Sequence, residues 1–263
     1  MKNLVIFPIL LLSFLVTKEY IVDPNASLNS DRELFMDKAN PSKSIQGAWT
    51  SSELNESGEK ITITTIVMDG YHAETFYNEK TNAFVKTFGG YWTIENSVIT
   101  ITNEFSSADS AAVGKTRELT FDLKGDTLTF VGSDKVWTRI DNGQTGALSG
   151  AWLISGRKRD GKMVRRSPGD RKTMKILSGT RFQWIAYNTA TGKFSGTGGG
   201  TYSAENGTYT EKIEFFSRDN SRVGAKLTFQ YEVIENEWHH SGMSSKGNPI
   251  YEIWSPRIMA QKK

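Results

Sequence analysis

Four short blocks of this sequence occur twice, in the same order and at nearly the same spacing. Gly47-Ala48-Trp49 returns as Gly150-Ala151-Trp152, and Gly89-Gly90-Tyr91-Trp92 with Glu95-Asn96 returns as Gly199-Gly200-Thr201-Tyr202 with Glu205-Asn206. Val113-Gly114 followed by Leu119-Thr120-Phe121 returns as Val223-Gly224 followed by Leu227-Thr228-Phe229. Val136-Trp137-Thr138-Arg139-Ile140 returns as Ile253-Trp254-Ser255-Pro256-Arg257-Ile258. A period of about 105 residues is too long for a solenoid unit and fits two copies of one small domain. The copies occupy 45–141 and 148–258, and a polar, glycine-rich joint, Asp141-Asn142-Gly143-Gln144-Thr145-Gly146, falls between them.

Within each copy the hydrophobic pattern has period two. Ile61 and Ile63 alternate with Thr62 and Thr64, Leu119, Phe121 and Leu123 with Thr120 and Asp122, and Phe182 and Trp184 with Arg181 and Gln183. Short runs rich in Thr, Ile, Val and aromatic residues, punctuated by Gly/Asn/Asp turns, predict an all-β chain. No helical stripe interrupts either copy, which excludes a parallel βαβ arrangement and leaves a sandwich or a barrel.

Each copy opens on Gly-Ala-Trp and closes on Trp-x-Arg or Trp-x-x-Arg. This pairing resembles the lipocalin-like (calycin) pattern of exported bacterial proteins, and the resemblance runs from 45 to 258. It implies two tandem antiparallel up-and-down barrels of 8–10 strands each, in which a first-strand tryptophan is packed by a last-strand arginine across the closed end: Trp49 with Arg139, and Trp152 with Arg257. The physics agrees, since a barrel abolishes sheet edges only when its first and last strands pair, and a guanidinium stacked on an indole contributes about 0.5–2 kcal/mol.

Ahead of the first copy, Lys2 precedes an uncharged apolar run from Leu4 to Val16 that ends at Lys18 and Glu19. The run is too short for a spanning helix, and the pattern is that of a secretory signal peptide over 1–19, so the protein is expected to be exported. Residues 20–44 read as a linker, with one short helix where Ser30 and Glu33 form a capping box before Leu34-Phe35-Met36.

With 32 basic and 29 acidic side chains, the net charge of +3 is too even for a nucleic-acid binder. The absence of cysteine removes disulfides, thiolate metal sites and thiol catalysis. His239 and His240, adjacent on one strand, point to opposite faces and cannot share a metal. No cofactor or metal is expected.

The second copy carries the chemistry. Tyr209, Glu211, Ile213 and Phe215 share one strand face, so a carboxylate stands where the first copy has Ile101. A carboxylate on an apolar face needs a partner or a raised pKa. Phe182, Trp184, Tyr209, Trp238 and His240 add aromatic walls and one imidazole, the composition of a small-molecule site. The leading expectation is a non-enzymatic exported protein that binds a small apolar or amphipathic ligand, lipid-like or glycan-derived, through Phe182, Trp184, Tyr209, Glu211, Trp238 and His240. Two alternatives stand beside it: a glycan-processing isomerase or hydrolase using Glu211 and His240, and an interaction module whose barrels are filled. In the first copy His72 and Glu74 take the places of Phe182 and Trp184 and read as a surface pair near the Asp69-Gly70 turn. The strongly basic stretch from Arg157 to Lys172 reads as a solvated hairpin, with contact to a membrane surface or an anionic glycan as its functional reading.

Overall fold

The structure, a computed structural model, describes residues 45–144, 146–244 and 247–257. The expected signal peptide over 1–19, the expected linker and helix over 20–44, and Ile258 lie outside these residues.

Two barrels follow one another along the chain. The first has eight strands: β1 (Gly47–Leu54), β2 (Lys60–Met68), β3 (Tyr71–Asn78), β4 (Ala83–Glu95), β5 (Val98–Ser106), β6 (Thr116–Lys124), β7 (Thr127–Phe130) and β8 (Val136–Asp141). Each pairs antiparallel with the next, and β8 returns to β1 to close the cylinder. The second is built from β9 (Gly150–Arg159), β11 (Arg171–Leu177), β12 (Arg181–Asn188), β13 (Phe194–Glu205), β14 (Thr208–Phe216), β15 (Lys226–Ile234), β16 (Glu237–Met243) and β17 (Pro249–Pro256), with β17 closing onto β9. The short β10 (Lys162–Arg165) pairs only with the far half of β9. Both barrels are therefore closed, eight-stranded, antiparallel and up-and-down.

The repeated Gly-Gly pair has a steric cause. In β4 and β13 the register slips by one residue at Gly89/Gly90 and at Gly199/Gly200. A Cβ on Gly90 would lie 2.0 Å from the Thr102 carbonyl oxygen, and one on Gly200 would lie 2.1 Å from that of Lys212. Only glycine admits so close a neighbouring strand. The slip also changes which face the following residues occupy. Phe215, expected on the inner face with Glu211, instead meets Tyr77 of the first barrel, ring centroids 5.3 Å apart, and Phe216 turns inward.

Closure matches the expected mark in one copy only. Arg139 lies opposite Trp49 in the β8–β1 ladder, and its guanidinium sits 4.0 Å from the indole centroid. In the second copy Pro256 holds the position opposite Trp152. The extra residue between Trp254 and Arg257 places Arg257 out of phase with Trp254, and a one-residue shift moves a strand side chain to the other face. Arg257 therefore points out of its own barrel and stacks on Tyr71 of the first, 4.1 Å from the ring centroid. The expected Trp152–Arg257 contact is thus replaced. The Trp152 indole donates to the Leu148 carbonyl and packs edge-on against Trp238.

That outward arginine belongs to a docked interface. Outer-face residues Ile66, Met68, Tyr71, Ala73 and Phe105 form one buried cluster with Ala151, Met174, Ile176, Ile185 and Tyr187. Arg257 pairs with Glu104 at 2.7 Å and donates to the Tyr187 hydroxyl at 2.7 Å. Gln183 ties Thr75 and Thr87 of the first barrel to Thr197 of the second. At the end of β8, Asp141 accepts bonds from Ser178, Gly179 and Thr180. Burial alone would raise its pKa, but these donors and Gly143 hold it below the usual carboxylate range.

Candidate functional site

The interior of the second barrel is packed at one level and hollow at another. Phe182, Tyr209 and Trp238 are fully buried in the aromatic core with Leu148, Trp152 and Trp254. Beside that core lies a cavity of about 200 Å³, walled by Trp184, Phe216, Phe229 and Trp254, with Lys175, Glu211, His240 and Glu252 among the groups lining it. Of the residues expected to line a pocket, Trp184, Glu211 and His240 do so. Phe182, Tyr209 and Trp238 instead support the lining from behind.

Alternation places the polar groups. Thr173, Lys175 and Leu177 share the inner face of β11, while Met174 and Ile176 of the same strand face the first barrel. Lys175 is thus carried inward by a strand whose other face is apolar, and in the ladder it stands opposite both Trp152 and Trp184. It occupies the place of Thr65 in the first copy, which pairs with Trp49.

Lys175 and Glu211 are each 4% exposed, and Lys175 Nζ lies 2.9 Å from Glu211 Oε1. The ammonium sits 4.7 Å from the Trp238 ring centroid, 4.9 Å from Tyr209 and 5.3 Å from Trp254. This combination of a paired carboxylate and three π-faces makes a buried cation tolerable. The Tyr209 hydroxyl also donates to Glu211 Oε1 at 2.9 Å. Burial first, then the charge of Glu211 and this bond, push the Tyr209 pKa well above its ordinary value, so the phenol keeps its proton.

His240 is 3% exposed; its Nε2 has no hydrogen-bond partner among the described residues, and its Nδ1 faces only Glu252. Its ring lies 4.3 Å from that of Phe229, centroid to centroid, and its Nδ1 is 3.6 Å from Glu252 Oε2. Burial, reinforced by the charge of Lys175 and opposed by Glu252, holds the imidazole below its ordinary pKa, so it is neutral at pH 7. Glu252 also accepts from Arg157 at 2.9 Å. Burial acts to raise its pKa, but the Nδ1 edge of His240 turned toward it and the charges of Lys175 and Arg157 outweigh burial and hold the carboxyl below its ordinary value. Glu211 and His240 thus have separate immediate partners, Lys175 and Glu252. His239, on the outer face, bonds Tyr251.

The first barrel differs. The alternation of β3 puts His72, Glu74 and Phe76 on the inner face, and His72 is buried. The surface pair expected there is therefore interior. Burial and nearby Arg117 lower the His72 pKa to about 3, and burial raises Glu74 to about 7 against the opposing charges of Lys135, Arg117 and Lys86. Among the described residues, no group of three or more His, Asp or Glu side chains is arranged to hold a metal ion.

No protein-family model matches the sequence, and no curated protein matches it. Among solved structures, it is similar to a lipocalin-like protein from Bacteroides uniformis, at 16% identity over 43% of this chain and all of the other, with a TM-score of 0.30. The strand registers, rather than this slight likeness, establish the barrels.

Proposed function

We propose that the second barrel is a receptor for a small amphipathic molecule. Its apolar body lies against Trp184, Phe216, Phe229 and Trp254, and its polar end bonds His240. The observation that carries this reading is the His240 imidazole, buried at the wall of a cavity with its Nε2 unpartnered and its Nδ1 turned toward the Glu252 carboxylate at 3.6 Å. An unsatisfied buried polar group costs about 1–3 kcal/mol, which a bound hydrogen-bonding group recovers. The charges around it are matched in pairs, Lys175 with Glu211 and Arg157 with Glu252. A ligand end that is neutral and both donates and accepts, such as a hydroxyl or amide, therefore suits the site better than an ion.

Size narrows the class. At about 30 Å³ for a water-sized group, 200 Å³ holds roughly six or seven such groups. That volume encloses a small ring or a short chain, and any longer part of a ligand would extend through the open mouth. Export, which rests on Lys2 and the Leu4–Val16 run alone, is part of the same proposal.

The test is a titration of intrinsic tryptophan fluorescence with small cyclic alcohols, short-chain amides and monosaccharides. The expected result is saturable quenching by at least one class, weakened about tenfold in Trp184→Ala and in His240→Phe, whose losses of a wall and a polar anchor are each on the order of 1–2 kcal/mol. Absence of saturation with all three classes, or equal affinity in the wild type and both variants, overturns the reading.

A further inference from the structure

The larger hollow of the second barrel lies outside the cavity just described, and its origin is visible by comparing the two copies. In the first, β2 runs alongside β1 without interruption from Leu54↔Lys60 to Gly47↔Val67. In the second, the equivalent strand is broken. β10 pairs with Gly156 to Arg159 of β9, β11 pairs with Gly150 to Leu153, and residues 166–170 loop out between them. The break removes ladder pairs and opens a groove of about 770 Å³ between β9 and the loop.

Four cations line this groove: Arg165, Arg166, Arg171 and Lys172. Arg165 is neutralised by Glu237 at 2.5 Å. Arg166 and Arg171 are exposed and form no ion pair among the described residues, and Lys172 bonds only the Thr189 hydroxyl, at 3.3 Å. Asp170 is the remaining acid in the lining, so the groove keeps an excess of positive charge. Between the charges stand the hydroxyls of Ser155 and Ser255, both held by Glu237.

We propose that this groove binds an acidic oligosaccharide, a short chain of hydroxylated sugar rings carrying sulfate or carboxylate groups. The three free cations meet the anionic groups. The serines, Asp170 and Glu237 meet sugar hydroxyls, for which a mixed lining of donors and acceptors is required. A flat anionic bilayer fits less well, because the groove is concave and its two carboxylates would face like charge.

The proposal is independent of the cavity beside His240, and the test keeps the two apart. A heparin-derived tetrasaccharide is titrated calorimetrically into the full chain at low and physiological salt, with a neutral tetrasaccharide and phosphatidylserine vesicles as comparisons. The expected result is binding of the acidic chain that weakens with salt. The triple variant Arg166→Ala/Arg171→Ala/Lys172→Ala should bind roughly tenfold more weakly, since each exposed pair contributes modestly. Lys158→Ala/Arg159→Ala/Lys162→Ala removes the same charge from the neighbouring hairpin and should bind like the wild type, as should Trp184→Ala. In the unsubstituted protein, amide shifts should centre on Ser155, Gly169 and Ser255, which line the groove and not the cavity beside His240. No binding, equal loss in both triple variants, preference for vesicles, or shifts centred on the hairpin each overturns it.

Discussion

Lys175 and Glu211 face each other inside the second barrel at 2.9 Å, where the corresponding positions of the first barrel hold Thr65 and Ile101. One fold therefore carries two solutions at the same place, one ionic and one without charge. Removing one member of a buried pair strands the other, at about 3–5 kcal/mol, whereas replacing both can be neutral or stabilising. Glu211→Ile and Lys175→Thr alone should each lower stability by roughly that amount, while the double variant, which imports the first barrel's own residues, should recover most of it. Urea denaturation of the four proteins measures the coupling, and additive losses would show that the pair contributes nothing as a pair.

The interior of the first barrel should make stability depend on pH in two opposed ways. His72 has a folded pKa of about 3 against an ordinary value of 6.5, so its contribution is complete above pH 6.5 and is lost as pH falls toward 3. Glu74, raised from 4.5 to about 7, contributes fully below pH 4.5 and loses that contribution as pH rises through 7. Between pH 4.5 and 6.5 the two slopes oppose each other. His72→Phe, the residue of the second copy, should flatten the acid side, and Glu74→Gln should flatten the fall in stability from pH 4.5 to 7, by on the order of 1–3 kcal/mol. Melting temperatures across pH 4–8 check both signs.

Much of this architecture was legible in the chain because it depends on local period and on repetition. Alternation in Ile61-Thr62-Ile63-Thr64 and the recurring Gly-Ala-Trp and Trp-x-Arg marks were enough for two barrels and for the contact between Trp49 and Arg139. Two of the misreadings share one cause, which is counting by twos across a slip, whereas His72 and Glu74 were misplaced by weighing the nearby Asp69-Gly70 turn above the alternation of their own strand. The register shifts at Gly199/Gly200 exchange Phe215 and Phe216, and Pro256 sends Arg257 outward. Lys175 escaped notice although its signal was present: a lone lysine between Met174 and Ile176, in the column where the first copy has Thr65. Packing of one barrel's outside on the other's left no periodic trace, except that β2 is almost continuously buried.

The cavity beside His240 should hold its affinity into mild acid. Because burial and Lys175 keep that imidazole below its ordinary pKa, it stays neutral at pH values where a free histidine has begun to charge. Binding of an uncharged ligand should therefore be nearly equal at pH 8 and pH 6 and fall only on further acidification. A loss of about fourfold or more between pH 8 and pH 6, which a histidine at its ordinary pKa of 6.5 would give, would contradict the assigned protonation state.

Docking of the barrels should make them unfold as one. Met174, Ile176, Ile185 and Tyr187 lie on the outside of the second barrel and are buried only because the first covers them, and Arg257 is satisfied there by Glu104 across the interface. Calorimetry of the full chain should give one transition with matching van't Hoff and calorimetric enthalpies. Arg257→Leu should lower its midpoint, at about 3–5 kcal/mol for the stranded carboxylate, and the added change Glu104→Leu should restore part of it. A fragment beginning after the joint at Gly146 should bind a hydrophobic dye through the uncovered patch. Two resolved transitions in the full chain, or a dye-silent fragment, would mean that the shared core contributes little to holding either barrel.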